Sequence, residues 1–170
     1  MLRSIVVILV CAAFANAQRC PSGWFTSPIS KNLCYNFTIS RANFFLASDT
    51  CQQMNPRSSL ATITNVFENA ALRAFALNFD EKPLAWIGLN DVAENGEWIW
   101  LNGNQSVFKK WAPGYPKSEP NALCVAMNSI TGLWVNKDCA TRLPFFCSSD
   151  QFIYQDNFTT TTALRAKRVS

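Results

Sequence analysis

Cysteine content constrains the fold of this chain more than any other feature. Seven cysteines are encoded, but Cys11 lies in an N-terminal segment with the order of a secretory signal peptide. In that segment Arg3 precedes the apolar run 5–14, and the small residues Ala15 and Ala17 follow as an expected cleavage site. We therefore predict a signal peptide over residues 1–17, a secreted and extracellular protein, and disulfide pairing of the six other cysteines.

The cysteines that follow the signal peptide do not reveal their partners by spacing alone. They are Cys20, Cys34, Cys51, Cys124, Cys139 and Cys147. The remaining chain suits one domain, and the 6 Trp and 13 Phe of the sequence provide for an apolar core. No second apolar run is long enough to cross a bilayer, so we expect a chain that does not span a membrane.

Composition argues against several classes of function. The sequence contains no histidine, which excludes Ser–His–Asp and Cys–His catalytic sites and zinc sites with His ligands. Oxidised cysteines supply no thiolate nucleophile, and no pair of carboxylates stands out for acid–base chemistry, so we expect no enzyme. The charge balance of the whole sequence is mild, at +4, and forms no basic face, so nucleic acid is not an expected partner.

The hydrophobic pattern of the first half predicts a small hairpin and a helix. The hairpin is expected between Cys20 and Cys34, in a segment of β-prone residues broken by Pro and Gly. The helix is expected over residues 41–54, where Phe44, Ala47 and Cys51 fall on one face. The helix therefore buries a half-cystine.

A second helix is expected to begin at Asn65. Glu68 stands three residues later, at the position of a capping-box partner. Its predicted apolar face consists of Phe67, Ala71, Ala74 and Phe75. Strands are expected afterwards, over residues 84–89, 97–101, 123–127, 133–135 and 144–147. Helices followed by a run of strands indicate an α+β domain.

An ordered set of motifs runs through the same region. They are Phe44-x-x-Ala47-x-x-x-Cys51, Trp86-Ile-Gly-Leu89, Glu97-Trp-Ile-Trp-Leu-Asn-Gly103, Trp111-Ala-Pro-Gly114, Cys124-Val-Ala-Met127, Trp134 with Cys139, and Phe146-Cys147. Together they resemble the C-type lectin-like domain, in its long form with an extra N-terminal cystine. The resemblance implies an α+β fold in which two helices flank small antiparallel sheets and a long irregular loop. It places the domain at residues 18–149, before a flexible tail at 150–170.

The resemblance also implies a pairing for the cysteines. The expected bridges are Cys20–Cys34, Cys51–Cys147 and Cys124–Cys139. The tryptophans of the motifs are expected in the core rather than at a sugar-binding surface; they are Trp86, Trp98, Trp100 and Trp111.

Calcium-dependent members of that family carry oxygen ligands at set positions of the long loop and the next strand. Glu-Pro-Asn or Gln-Pro-Asp is typical in the loop, and Trp-Asn-Asp on the strand. The corresponding residues here are Tyr-Pro-Lys at 115–117 and Trp-Val-Asn at 134–136. Calcium takes 6–8 oxygen ligands, and this register supplies too few. We therefore expect no cofactor and disfavour a calcium ion.

Besides binding without calcium, the sequence leaves two other interpretations of the loop open. A literal Glu-Pro-Asn occurs at 119–121, so a calcium-dependent carbohydrate-binding lectin using Glu119, Asn121 and Asn136 is one alternative. A structural or self-associating extracellular protein is the other. The leading hypothesis is a secreted recognition module that binds glycans or proteins through the long loop. Its candidate contact residues are Tyr115, Lys117, Glu119, Asn121 and Asn136.

Three sequons mark candidate glycosylation sites. They begin at Asn36, Asn104 and Asn157. Asn104 stands next to the Asn-Gly turn at 102–103, so we expect it to be the most accessible.

Overall fold

The structure is a computed structural model that describes residues 20–30, 32–79 and 84–150. The expected signal peptide and the expected tail beyond Asp150 lie outside the described residues, and so does the sequon at Asn157.

Two helices and eight strands follow one another along the described chain. They are β1 (Phe25–Thr26), β2 (Cys34–Ala42), α1 (Phe44–Met54), β3 (Ser59–Leu60), α2 (Val66–Ala76), β4 (Leu84–Asn90), β5 (Ile99–Trp100), β6 (Cys124–Asn128), β7 (Trp134–Lys137) and β8 (Leu143–Ser149). The hairpin predicted near the N-terminus is the antiparallel pair β1–β2. The predicted α+β class is confirmed.

The strands form one sheet rather than the expected separate small sheets. Its order is β1-β2-β8-β4-β6-β7, with β3 added to β8 and β5 added to β4. The pairs are antiparallel except that of β4 with β8, which is parallel where Trp86 meets Phe145. The sheet is mixed because the last strand inserts between β2 and β4 and joins two antiparallel halves.

Side chains on successive positions of the central strands enter two apolar clusters. On β8, Phe145 belongs to the cluster under α1 and Phe146 to the cluster under α2. On β4, Trp86 joins the α1 cluster and Ile87 the α2 cluster. Because consecutive strand residues point to opposite faces, the sheet lies between the two clusters, and each helix covers one of them.

Helix α1 begins later than predicted. The periodic pattern includes Arg41 and Ala42, but Ala42 pairs with Leu143 as the end of β2. The helix then starts at Phe44 and is capped by Asn43, whose side-chain oxygen accepts a hydrogen bond from the Leu46 amide at 2.9 Å. Its predicted face is confirmed, since Phe44, Ala47 and Cys51 are all buried.

Helix α2 begins where predicted, but its buried face is different. The side chain of Asn65 caps it by accepting from the amides of Phe67 and Glu68, both at 3.0 Å. Phe67 is nevertheless 65% exposed, so the apolar face predicted around it is wrong. The buried residues are Glu68, Asn69, Leu72 and Ala76.

Polar partners explain the orientation of α2. The side chain of Asn69 accepts from the indole N–H of Trp134 at 2.7 Å and donates to the Gly132 carbonyl at 3.0 Å. These bonds satisfy a buried amide, so the face that contains it can turn inward. Hydrophobic periodicity alone cannot identify a buried face that includes two polar residues.

The three disulfides join the cysteines as the family resemblance implies. They are Cys20–Cys34, Cys51–Cys147 and Cys124–Cys139. Of the tryptophans predicted in the core, Trp86 and Trp100 are buried, whereas Trp98 and Trp111 are half-buried and pack against the α2 cluster.

The glycine of the Trp-Ile-Gly-Leu motif allows two backbones to approach. The Gly88 amide donates to the Ala61 carbonyl at 2.9 Å. A β-carbon at Gly88 would lie 2.6 Å from the Leu60 carbonyl oxygen. A side chain at this position therefore requires β3 and β4 to separate.

Replacement of this glycine should be costly. We expect Gly88→Ala to lower the free energy of unfolding by about 3 kcal/mol, measured by urea denaturation with the disulfides intact. The matched control is Gly96→Asn, at a turn with φ of 81° and no atom within 4 Å of the added β-carbon. Asn tolerates that backbone conformation, so the control should lose less than about 1 kcal/mol. Equal losses would contradict the close approach as the cause.

Candidate functional site

The long loop, residues 111–121, is attached at its start to β7 by main-chain hydrogen bonds. The Ala112 amide donates to the Trp134 carbonyl, and the Trp134 amide donates to the Lys110 carbonyl, both at 2.8 Å. Trp111 and Trp134 form an isolated parallel bridge. The start of the loop is therefore fixed to the edge of the sheet.

Asn136 on β7 fixes the other part of the loop. Its side-chain oxygen accepts from the Lys117 amide at 2.8 Å. Its side-chain nitrogen donates to the carbonyls of Lys117 and Ala122, each at 2.7 Å. Both N–H groups are thus used, and the residue is only 2% exposed. Asn136 is a structural anchor of the loop rather than a surface contact.

The exposed side of the loop presents a cation between an aromatic ring and a carboxylate. The Lys117 ammonium lies 3.4 Å from Glu119 Oε1 and 5.2 Å from the centre of the Tyr115 ring. The Tyr115 phenol, followed by the Glu119 carboxylate, raises the pKa of Lys117 above its ordinary value, so the ammonium stays charged. We call Tyr115, Lys117 and Glu119 the Lys117 surface.

Asn121 lines a cleft to which Tyr115, Lys117 and Glu119 do not contribute. The residue has a φ of 64° and lines this cleft, of about 350 Å³, together with Glu94, Asp138 and the exposed ring of Phe45. No sequence pattern indicated Phe45 and Glu94 as its neighbours, because they come from α1 and from the turn after β4. The five candidate residues are therefore divided between a surface, an anchor and a separate cleft.

Two of the three residues considered as calcium ligands are already engaged with Lys117. Glu119 pairs with Lys117, and the Asn136 oxygen accepts from the Lys117 amide. The structure has a cis peptide bond between Tyr115 and Pro116, in the register aligned with the calcium tripeptide. In residues 20–30, 32–79 and 84–150, no group of three or more Cys, Asp or Glu is placed to hold a metal ion.

Two of the sequons fall within the described residues. Asn36 is half-buried in β2, where it donates to the Gly23 carbonyl at 2.7 Å and accepts from the Thr38 hydroxyl at 2.9 Å. Asn104 is exposed and accepts from the Ser106 amide at 2.8 Å. Its exposure agrees with the expected accessibility, while the use of either site stays a prediction.

The fold and the loop together define a class of protein: a disulfide-linked domain of C-type lectin type that presents a long irregular loop. A family model described as the Lectin C-type domain matches residues 40–149. The chain belongs to this family.

Known proteins agree with that assignment. Lithostathine-1 of Mus musculus is 29% identical over 130 residues, which are 75% of this chain and 77% of that protein. Lectin BRA-3 of Megabalanus rosa is 28% identical over 150 residues, or 86% of this chain and 90% of that protein. A crystal structure of human lithostathine matches with a TM-score of 0.71 and 28% identity, covering 80% of this chain and 94% of that one.

The anchoring role of Asn136 can be tested by removing the hydrogen-bond donors of its side chain. Asn136→Asp removes both N–H groups and places a carboxylate against two carbonyl oxygens. We expect a loss of about 3 kcal/mol in the free energy of unfolding at neutral pH. Burial and the facing carbonyls raise the pKa of such a carboxyl in the folded state. The loss should therefore shrink as the pH falls from neutral toward about 4, the ordinary pKa of Asp in an unfolded chain, and stay constant at lower pH, where both states are protonated.

Asn128→Asp is the matched control for this experiment. The Asn128 side-chain oxygen accepts from the amides of Ile130 and Thr131 at 2.9 and 3.0 Å. A carboxylate accepts the same bonds, so this variant should change stability by less than about 1 kcal/mol. If Asn136→Asp behaves like the control, Asn136 does not anchor the loop.

Proposed function

We propose that this protein is a secreted recognition module that binds a glycan or an extracellular protein through the Lys117 surface, without a calcium ion. The observation that carries the proposal is the hydrogen bonding of Asn136. Its amide bonds to the loop backbone through three contacts. The position that would otherwise contribute a metal ligand is therefore used to hold the loop directly.

The chemistry of the Lys117 surface suits recognition. The side chain of Lys117 is 49% exposed and that of Glu119 is 61% exposed. A charged ammonium, a carboxylate and a tyrosine ring provide donors, acceptors and an apolar face in one small area. Loops held by a rigid scaffold commonly carry binding residues, and this loop is held to β7 at two places.

The relatives support binding in general terms. The relative from Megabalanus rosa is named as a lectin, which favours a glycan, whereas the name lithostathine specifies no ligand. Catalysis is not proposed, because the sequence lacks histidine and the six cysteines of the described chain are all in disulfides.

Secretion is part of the proposal. Three disulfides are typical of proteins that fold in an oxidising compartment, and the predicted signal peptide over residues 1–17 agrees with that. Within the described residues, no helix has the length and apolar character needed to span a membrane.

Calcium independence can be tested directly. The secreted protein is applied to a glycan array and to a panel of extracellular proteins, once with calcium and once with EDTA. We expect the same partners and unchanged signal in both conditions. Signal that disappears with EDTA, and also in Asn121→Asp, would replace the proposal by a calcium-dependent lectin.

The contact surface can be tested with the partner so found. Lys117→Ala should weaken its binding by about tenfold or more, as is common for a central charged contact. Arg41→Ala, which removes an exposed cation from β2 rather than from the loop, is the control and should leave affinity unchanged. If both variants bind like the original, the Lys117 surface is not the contact. If no partner binds while the protein self-associates, a structural role replaces recognition.

A further inference from the structure

The outward side of α2 is apolar. Val66, Phe67 and Leu77, the residue that caps the end of the helix, are 48%, 65% and 39% exposed. The exposed residues of the helix and this cap are Val66, Phe67, Ala70, Arg73, Ala74 and Leu77. We call these six residues the α2 face, and Arg73 is its one charged residue.

A surface helix normally turns its apolar side to the core and its polar side to water. On α1, the exposed residues include Asp49, Gln52 and Gln53 beside apolar ones. On α2 the arrangement is reversed, because Glu68 and Asn69 are among its buried residues while the α2 face is apolar apart from its arginine. An apolar side that is exposed on a secondary-structure element marks a surface that another molecule covers.

The spacing of the α2 face fits packing against a second helix. Val66, Ala70, Arg73 and Leu77 are separated by four, three and four residues, which is the spacing of a seam between two helices. In an antiparallel pair of identical helices related by a two-fold axis, positions equally far from the midpoint of the seam face each other. Val66 of one copy then faces Leu77 of the other, and Ala70 faces Arg73.

These pairings are complementary. Val66 and Leu77 bring two apolar side chains together, and the small side chain of Ala70 leaves room for the long apolar stem of Arg73. The guanidinium of Arg73 donates from Nε to the Ile130 carbonyl, which orients it toward the turn between β6 and β7. A single polar residue in such a seam also specifies how two helices align. We propose that the α2 faces of two copies of this chain pack antiparallel to form a two-fold symmetric homodimer.

The size of the contact sets the strength of the dimer. A seam over residues 66–77 is about 17 Å long at the rise of an α-helix, and Ile130, which is 51% exposed, lies beside it. This contact is smaller than a standard interface of about 800 Å² per partner. We therefore expect a reversible dimer with a dissociation constant of about 100 µM.

A dimer of this kind would present two copies of the Lys117 surface. Under the proposed function, two linked contacts raise the apparent affinity for a partner with repeated binding sites. The dimer itself does not depend on that function, because the α2 face and the Lys117 surface have no residue in common.

The test is sedimentation equilibrium of the full secreted chain from about 5 µM to about 1 mM, a range that brackets the expected dissociation constant. We expect a shift from monomer to dimer with no larger species. An NMR dilution series over the same range should move the amide signals of Phe67, Ala70 and Ala74 and leave that of Lys117 in place. Lys117→Ala should dimerise like the original chain, so the two proposals fail separately.

Two substitutions at position 70 test the alignment of the helices. Ala70→Arg places a cation opposite Arg73 of the other copy and should weaken the dimer about tenfold or more. Ala70→Glu adds similar bulk but a carboxylate, which pairs with the same arginine, so this variant should dimerise at least as tightly as the original chain. Since Ala70 is exposed, neither substitution should change the unfolding midpoint. Gln53→Arg adds a cation to the exposed side of α1 and is the control that should leave dimerisation unchanged.

Three outcomes would overturn the proposal. One is a chain that stays monomeric at about 1 mM, ten times the expected dissociation constant. Another is a dimer that Ala70→Arg does not weaken, or that Ala70→Glu weakens equally. The last is a monomer that binds another extracellular protein and loses this binding in Ala70→Arg, which would assign the α2 face to that protein instead of a second copy.

Discussion

The link between α1 and β8 is the constraint on which the rest of the structure depends. Cys51 and Cys147 are 96 residues apart in sequence and are both completely buried. β8 pairs with β2, β3 and β4, so the bridge attaches a helix from the first half of the chain to the strand that completes the sheet. Closing so long a loop removes much conformational freedom from the unfolded chain, and the bridge fixes α1 against β8.

The position of the long loop depends on this framework through β7. Trp134 is completely buried between the sheet and α2, where Asn69 accepts its indole N–H. Two positions later on the same strand, Asn136 is buried and bonds to the loop backbone. Because residues two apart on a strand share a face, the packing of Trp134 also sets the direction of Asn136. The position of the loop is therefore determined by the core.

Sequence patterns predict the parts of this structure that rest on apolar periodicity and on cysteine number. The buried face of α1 follows from Phe44, Ala47 and Cys51, since each is apolar and helically spaced. The buried face of α2 does not follow from such a pattern. Asn69 is buried because it bonds to partners more than sixty residues away in the sequence. The buried position of Asn136 could not be predicted either. Its partners are main-chain atoms, and the sequence does not show which main-chain atoms a side chain will meet.

The way in which Asn136 holds the loop also affects which side chains the loop can carry. The side chain of Asn136 forms its hydrogen bonds with the amide and carbonyl groups of Lys117 and the carbonyl of Ala122. Every amino acid except proline offers the same backbone groups. The side chains that face outward at positions 117 and 119 are thus free to diversify without disturbing how the loop is held. The shape of the loop is therefore set independently of the exposed side chains that, under the proposed function, would determine which partner binds.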